Sequence, residues 1–174
     1  MFSLGLGPGH GPGRGHGHGH GASGGNPQVT LSWIPARGGQ IPNGAIQVGH
    51  GVFVARAQHA GELIPGKASM GHQAAYVSYG GQEHAVSDYE ILCDTHMQCF
   101  GCNYTWERCH GRPVPRGALI GGYSADRQPY YIGRSQINGE MVAGKVFEPH
   151  GCAYFPWGGQ EHRSNEFEIL VLKQ

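Results

Sequence analysis

The chain has 174 residues, enough for one compact domain or two small packed repeats, and its 12 basic and 12 acidic residues give a formal net charge of zero. That balance excludes nucleic acid as the main partner, because phosphate binding needs a net basic surface. No run approaches the roughly 18 apolar residues of a membrane span, so none is expected.

Residues 1–27 form a Gly/His-rich tail, expected to be disordered: 11 of the 32 glycines fall in the first 25 positions, and no apolar periodicity offsets the entropy of ordering. Met1 to Gly7 run directly into PGHGPGRGHGHGHG with no apolar core, so no signal peptide is recognised. The tail reads as a flexible linker, or as a loose Zn, Cu or Ni site through His16, His18 and His20, neutral imidazoles being good ligands for those ions.

Beyond the tail the chain repeats itself. Trp33, Pro42, Gly44, Ala45 and Ile46 return 73 residues later as Trp106, Pro115, Gly117, Ala118 and Leu119. A five-residue insertion near residues 124–129 moves the offset to 78, where it stays. Arg56 then matches Arg134, GELIPGK (61–67) matches GEMVAGK (139–145), GGQEH (80–84) recurs unchanged at 158–162, and YEIL (89–92) matches FEIL (167–170). The expected domains are the first copy at 28–98 and the second at 99–174.

Within each copy, VFVARA (52–57) and YYIGRS (130–135) alternate as half-buried strands do, and AAYVSY (74–79) and CAYFPW (152–157) alternate with aromatics. Turn signals lie between them at Asn43-Gly44, Pro65-Gly66, Gly80-Gly81 and Asn138-Gly139. No window carries a helical period. The fold class is therefore all-β and antiparallel. One copy of about 65 residues buries too little core alone, so two copies are expected to pack with pseudo-twofold symmetry.

Several constellations carry candidate chemistry. Glu62 with Lys67, and Glu140 with Lys145, read as an acceptor and a donor on one turn, the pairing that vicinal sugar hydroxyls need; the bland alternative is a surface ion pair worth about 0–1 kcal/mol. GGQEH reads as a structural joint between copies, or as a polar turn beside stacking aromatics at Tyr79 and Trp157. Arg56 and Arg134, mid-strand, are expected to pair with Glu90 and Glu168. Cys93, His96, Cys99, Cys102, Cys109 and His110 invite a zinc reading, but lack a second paired knuckle; the cysteines are expected to be thiols. No G-x-S-x-G, H-E-x-x-H or P-loop is present, so a binding protein without cofactor is expected, not an enzyme.

The pattern W…P-x-G-A…R-[AS]…G-E-[LM]-x-x-G-K…GGQEH…[YF]-E-I-L over residues 32–172 resembles the DM9 repeat. The resemblance implies interlocked all-β repeats, a homodimer, mannose-type glycan binding as in mollusc lectins, a role in infection response, and a cytoplasmic or vesicle-associated location. It also implies that sugar is held by the lysine, here Lys67 and Lys145, and by an aspartate whose place is taken by Gly51 and Ser124, with Asp126 two residues on.

Overall fold

The computed structural model describes residues 31–95 and 104–173, and every regular element in it but one short turn is a strand. The first copy supplies β1 (Leu31–Arg37), β2 (Gln47–Gly49), β3 (Val52–His59), β4 (Glu62–Ser69), β5 (Ala75–Tyr79), β6 (Gln82–Val86) and β7 (Asp88–Asp94). The second supplies β8 (Tyr104–Cys109), β9 (Ile120–Tyr123), β10 (Pro129–Ile137), β11 (Glu140–Phe147), β12 (Cys152–Trp157), β13 (Gln160–Ser164) and β14 (Phe167–Leu172), with a 3-10 turn at Glu148–His150.

Strand order proves the symmetry. The sheet runs β1-β7-β3-β4-β5-β6-β13-β12-β11-β10-β14-β8, and adding seven to each first-copy label gives the second half read backwards. The pseudo-twofold axis passes between β6 and β13, where Gln82 opposes Gln160. The sheet curls into a β-barrel with extra strands.

Two strands off that path interlock the copies. β9 pairs with β10 and also reaches β4 of the first copy, Leu63 opposite Tyr123. β2 pairs with β3 and lies against β11 of the second copy. The arginines fasten both crossings. Arg56 is bonded to Glu90 at 3.0 Å, lies 4.1 Å from the Trp33 ring and donates to the Gly121 carbonyl of β9 at 3.2 Å. Arg134 repeats this with Glu168 at 2.6 Å, Trp106 at 4.6 Å and the Val48 carbonyl of β2 at 3.3 Å. The Arg–Glu pairing expected from sequence is present, and each arginine also clasps the opposite copy.

The core follows the same plan. One apolar cluster belongs mainly to each copy, and a third is shared, joining Ile46, Val54 and Leu92 to Ile132, Ala143 and Leu170. Trp33 and Trp106 pack half-buried on the shared cluster. Cys93, Cys109 and Cys152 are buried free thiols, Cys93 and Cys109 in separate clusters. Among the described residues no group of three or more His, Cys, Asp or Glu side chains could hold a metal ion. His16, His18, His20, His96, Cys99 and Cys102 lie outside the described residues. No helix among the described residues is long and apolar enough to cross a membrane.

One expected turn is not a turn. Pro65-Gly66 lies inside β4 and Ala143-Gly144 inside β11. The bends are instead at Ala60-Gly61 and Asn138-Gly139, where both residues of each pair have positive φ, as a two-residue hairpin requires. Gly66 is needed for close approach: a Cβ there would fall 2.1 Å from the Tyr76 carbonyl oxygen of β5, and at Gly144 the same distance from that of Tyr154.

Candidate functional site

Because Pro-Gly does not bend the chain, Lys67 and Lys145 are carried on strands and point inward. They are only 7% and 6% exposed. Five positions along a strand put Glu62 and Lys67 on opposite faces, so the neighbouring acceptor and donor expected within one turn do not form. Each lysine pairs instead with the glutamate of its own copy's GGQEH: Lys67 with Glu83 and Lys145 with Glu161, both at 3.4 Å.

Those glutamates are also the joint between copies. The Glu83 carboxylate accepts the Gly159 N–H and the Glu161 carboxylate accepts the Gly81 N–H, each at 3.2 Å. The backbones bond alongside, Glu83 N–H to Gly159 O at 3.1 Å and Glu161 N–H to Gly81 O at 3.0 Å. The structural reading of GGQEH holds. Unchanged duplication is what a symmetric joint requires.

The same joint builds a cleft. Lys145 lines an open cavity of about 280 Å³ together with Glu62, Tyr79, Ser124, Asp126, Tyr130, His150, Tyr154 and Glu161. Its walls come from both copies, and Glu62 meets Lys145's neighbourhood across the interface, not within its own hairpin. Four of the residues singled out by sequence (Lys145, Glu62, Ser124 and Asp126) converge here. The Lys145 ammonium lies 5.7, 5.2 and 5.5 Å from the rings of Tyr79, Tyr130 and Tyr154, within cation–π range. It donates to the Ser78 carbonyl at 2.8 Å.

Glu62 organises the opposite wall. It accepts the Tyr130 hydroxyl at 2.6 Å and the Ala125 N–H at 3.3 Å, which ties the inserted 124–128 loop to β4. Ser124 is buried and closes that loop, its hydroxyl accepting the Gln128 N–H at 3.1 Å. Asp126 is exposed on the rim. Burial lowers the Lys145 pKa, against the opposing pull of Glu161 and Glu62. Burial and the carboxylate of Glu62 raise the Tyr130 phenol, and burial with the Cys152 contact pushes Tyr154 up to about 12. Both phenols therefore stay protonated and able to donate at neutral pH.

The counterpart around Lys67 is different. Val52 replaces Tyr130, Gly51 replaces Ser124, the inserted loop is missing, and Trp157 replaces Tyr79. The Trp157 indole N–H donates to Glu140 at 3.0 Å. Glu140 and Lys67 are not brought together with the inserted-loop residues. Sequence reasoning assigned no binding role to Tyr130 and Tyr154; the signal for Tyr130 was a broken match, Val52 against a tyrosine, beside the insertion.

Two larger clefts lie elsewhere among the described residues. That of about 340 Å³ beside Arg134 and Glu168 recurs around Arg56 and Glu90, so it accompanies the arginine clasp. The other, about 440 Å³ beside Phe53 and Met70, has no ionisable side chain in its lining.

The fold resembles that of the nematode sperm cell motility protein MFP2B, whose crystal structure superposes with a TM-score of 0.61 at 17% identity, covering 82% of this chain and 47% of that one. The chain thus spans about half the length of that protein. No curated protein matches the sequence at a significant level. The DM9 repeat pattern matches residues 49–164, two thirds of the chain, and with its two interlocked copies the chain belongs to the DM9 repeat family.

Proposed function

We propose that the chain is a carbohydrate-recognition module that holds a mannose-type glycan in the Lys145 cleft. The observation carrying this reading is the convergence, from both copies, of a buried ammonium, carboxylates at Glu62 and Asp126, and the protonated phenols of Tyr130 and Tyr154 around one open cavity. Vicinal hydroxyls both donate and accept, so a cation beside anions satisfies them, and aromatic rings cover the apolar sugar face. Glu140, Lys67 and Trp157 form a second, lesser surface in this reading. Weak single sites gain strength by multivalency, in a homodimer or on a polymeric glycan. A role in infection response and a cytoplasmic or vesicle-associated location complete the proposal; the buried thiols of Cys93, Cys109 and Cys152 support a reducing compartment.

A second reading, an interaction scaffold without sugar binding, draws support from two observations: both lysines are engaged in ion pairs at the joint, and Gly51 and Ser124 stand where the lectin members carry aspartate. Calorimetry with mannose and mannan separates the two. Binding by the wild type that is lost in Lys145→Met supports recognition; no binding, or binding indifferent to Lys145, leaves the scaffold.

A further inference from the structure

The Lys145 cleft has a neighbour that its counterpart lacks. His59 at the end of β3 and His84 in β6 lie face to face, ring centroids 4.1 Å apart and planes inclined by 29°. His59 also meets Tyr79 edge-on at 5.5 Å, and Tyr79 forms part of the cleft wall. Across the β3–β4 hairpin the register partner of His59 is Glu62, which forms the other wall. In the second copy Ile137 stands in the place of His59. The imidazole pair thus accompanies only the cleft that carries the inserted loop.

Neutral imidazoles stack without charge repulsion, whereas two imidazolium ions at that spacing repel, so a charge on His84 opposes a charge on His59. Lys145 on β11 opposes it as well, and Glu62 on β4 favours it. Tyr79 on β5 meets the His59 ring edge-on. β7 approaches β3 at Ala55 and Arg56, where Glu90 is held by Arg56. Burial is the largest influence and, with His84 and Lys145, places His59 below the ordinary histidine value. The His84 ring has its Nε2 3.0 Å from the Tyr79 carbonyl oxygen, which fixes Nε2 as the donor and anchors that ring to β5.

We propose that the His59–His84 stack is an acid-sensitive latch on the Lys145 cleft. Neutral, it braces Tyr79 and leaves Glu62 on the Tyr130 hydroxyl and the Ala125 N–H. Protonated, the rings part, His59 draws the Glu62 carboxylate toward itself, and the 124–128 loop and any bound ligand are released. The release of a sugar rests on the proposed function; the movement of the cleft does not.

An NMR pH titration of the full chain tests the latch. The imidazole signals of His59 are expected to titrate below the ordinary histidine value. The Tyr79 ring and Ala125 amide signals are expected to move at the same midpoint. His59→Ile, the residue of the other copy, is expected to leave Tyr79 and Ala125 insensitive to pH. An ordinary His59 titration in the wild type, or cleft signals that do not follow His59, overturns the latch whether or not the variant folds. With mannan as the probe, apparent affinity is expected to fall roughly tenfold per pH unit below the His59 midpoint, as the competent fraction falls. Mannan affinity that is unchanged across that midpoint overturns the latch. Cleft signals that move with His59 while mannan binds at no pH support the latch and overturn the carbohydrate reading.

Discussion

Replacing Lys145 with methionine while keeping Glu161 isolates the charge on which the site depends. Both side chains are nearly enclosed, 8% and 11% exposed, so solvent screening discounts their interaction little. Removing one partner of a buried ion pair costs about 3–5 kcal/mol, mostly through the charge left behind. Here the contact is long, 3.4 Å, and Glu161 keeps the Gly81 N–H on its other oxygen, which argues for the lower end, about 3 kcal/mol. At about 2–4 °C per kcal/mol for a chain of this size, the melting temperature is expected to fall by roughly 6–12 °C. Adding Glu161→Gln removes the stranded charge and is expected to restore much of the loss. Thermal and urea unfolding of the wild type, both single variants and the double variant form the cycle. A loss below about 0.5 kcal/mol in Lys145→Met, of the kind seen at exposed pairs, refutes the account of the joint.

The remaining predictions concern other contacts. Gly66→Ala and Gly144→Ala each drive a Cβ into a carbonyl oxygen 2.1 Å away and are expected to lose about 3 kcal/mol or more in urea unfolding; a neutral result contradicts the close strand approach. Glu62→Ala removes the acceptor of the Ala125 N–H, so exchange of that amide is expected to speed up while exchange in β12 is unchanged. His59 lies below its ordinary value of 6.5 in the folded chain, so the fold favours the neutral ring. The stability this gives is complete above the unfolded value and is lost as pH falls from there through the folded one; His59→Ile is expected to flatten that part of the pH–stability curve. Cys93, Cys109 and Cys152 are at most 4% exposed and are expected to resist alkylation in native buffer and react together on unfolding, as read by intact mass.

The duplication was legible because each copy keeps the same turn glycines, strand aromatics and GGQEH in order, and those local signals act alike in both halves. The arginine–glutamate pairs were legible for the same reason: a mid-strand charge facing inward needs a partner, and the repeat placed one at matching positions. The lysines were misread because Pro-Gly carries turn chemistry. What governs Gly66 and Gly144 is a neighbouring carbonyl from β5 or β12, and that approach exists only after the sheet forms. Glu62 was matched to the wrong lysine for a similar reason. Spacing along one hairpin suggested Lys67, but β9 crosses to β4, Leu63 opposite Tyr123, and brings the inserted loop, Tyr130 and Lys145 around Glu62. The insertion itself was visible in the change of offset; what it covers depends on a pairing between residues about 60 apart.

Chemical-shift mapping of the full chain titrated with mannose addresses the binding claim at its source. Saturable shifts centred on Tyr79, Ala125, Tyr130 and the Lys145 side chain, abolished in Lys145→Met under conditions where that variant remains folded, are the predicted result. Shifts that gather elsewhere, or none at mannose concentrations that saturate known mannose lectins, contradict the assignment of this cleft to sugar.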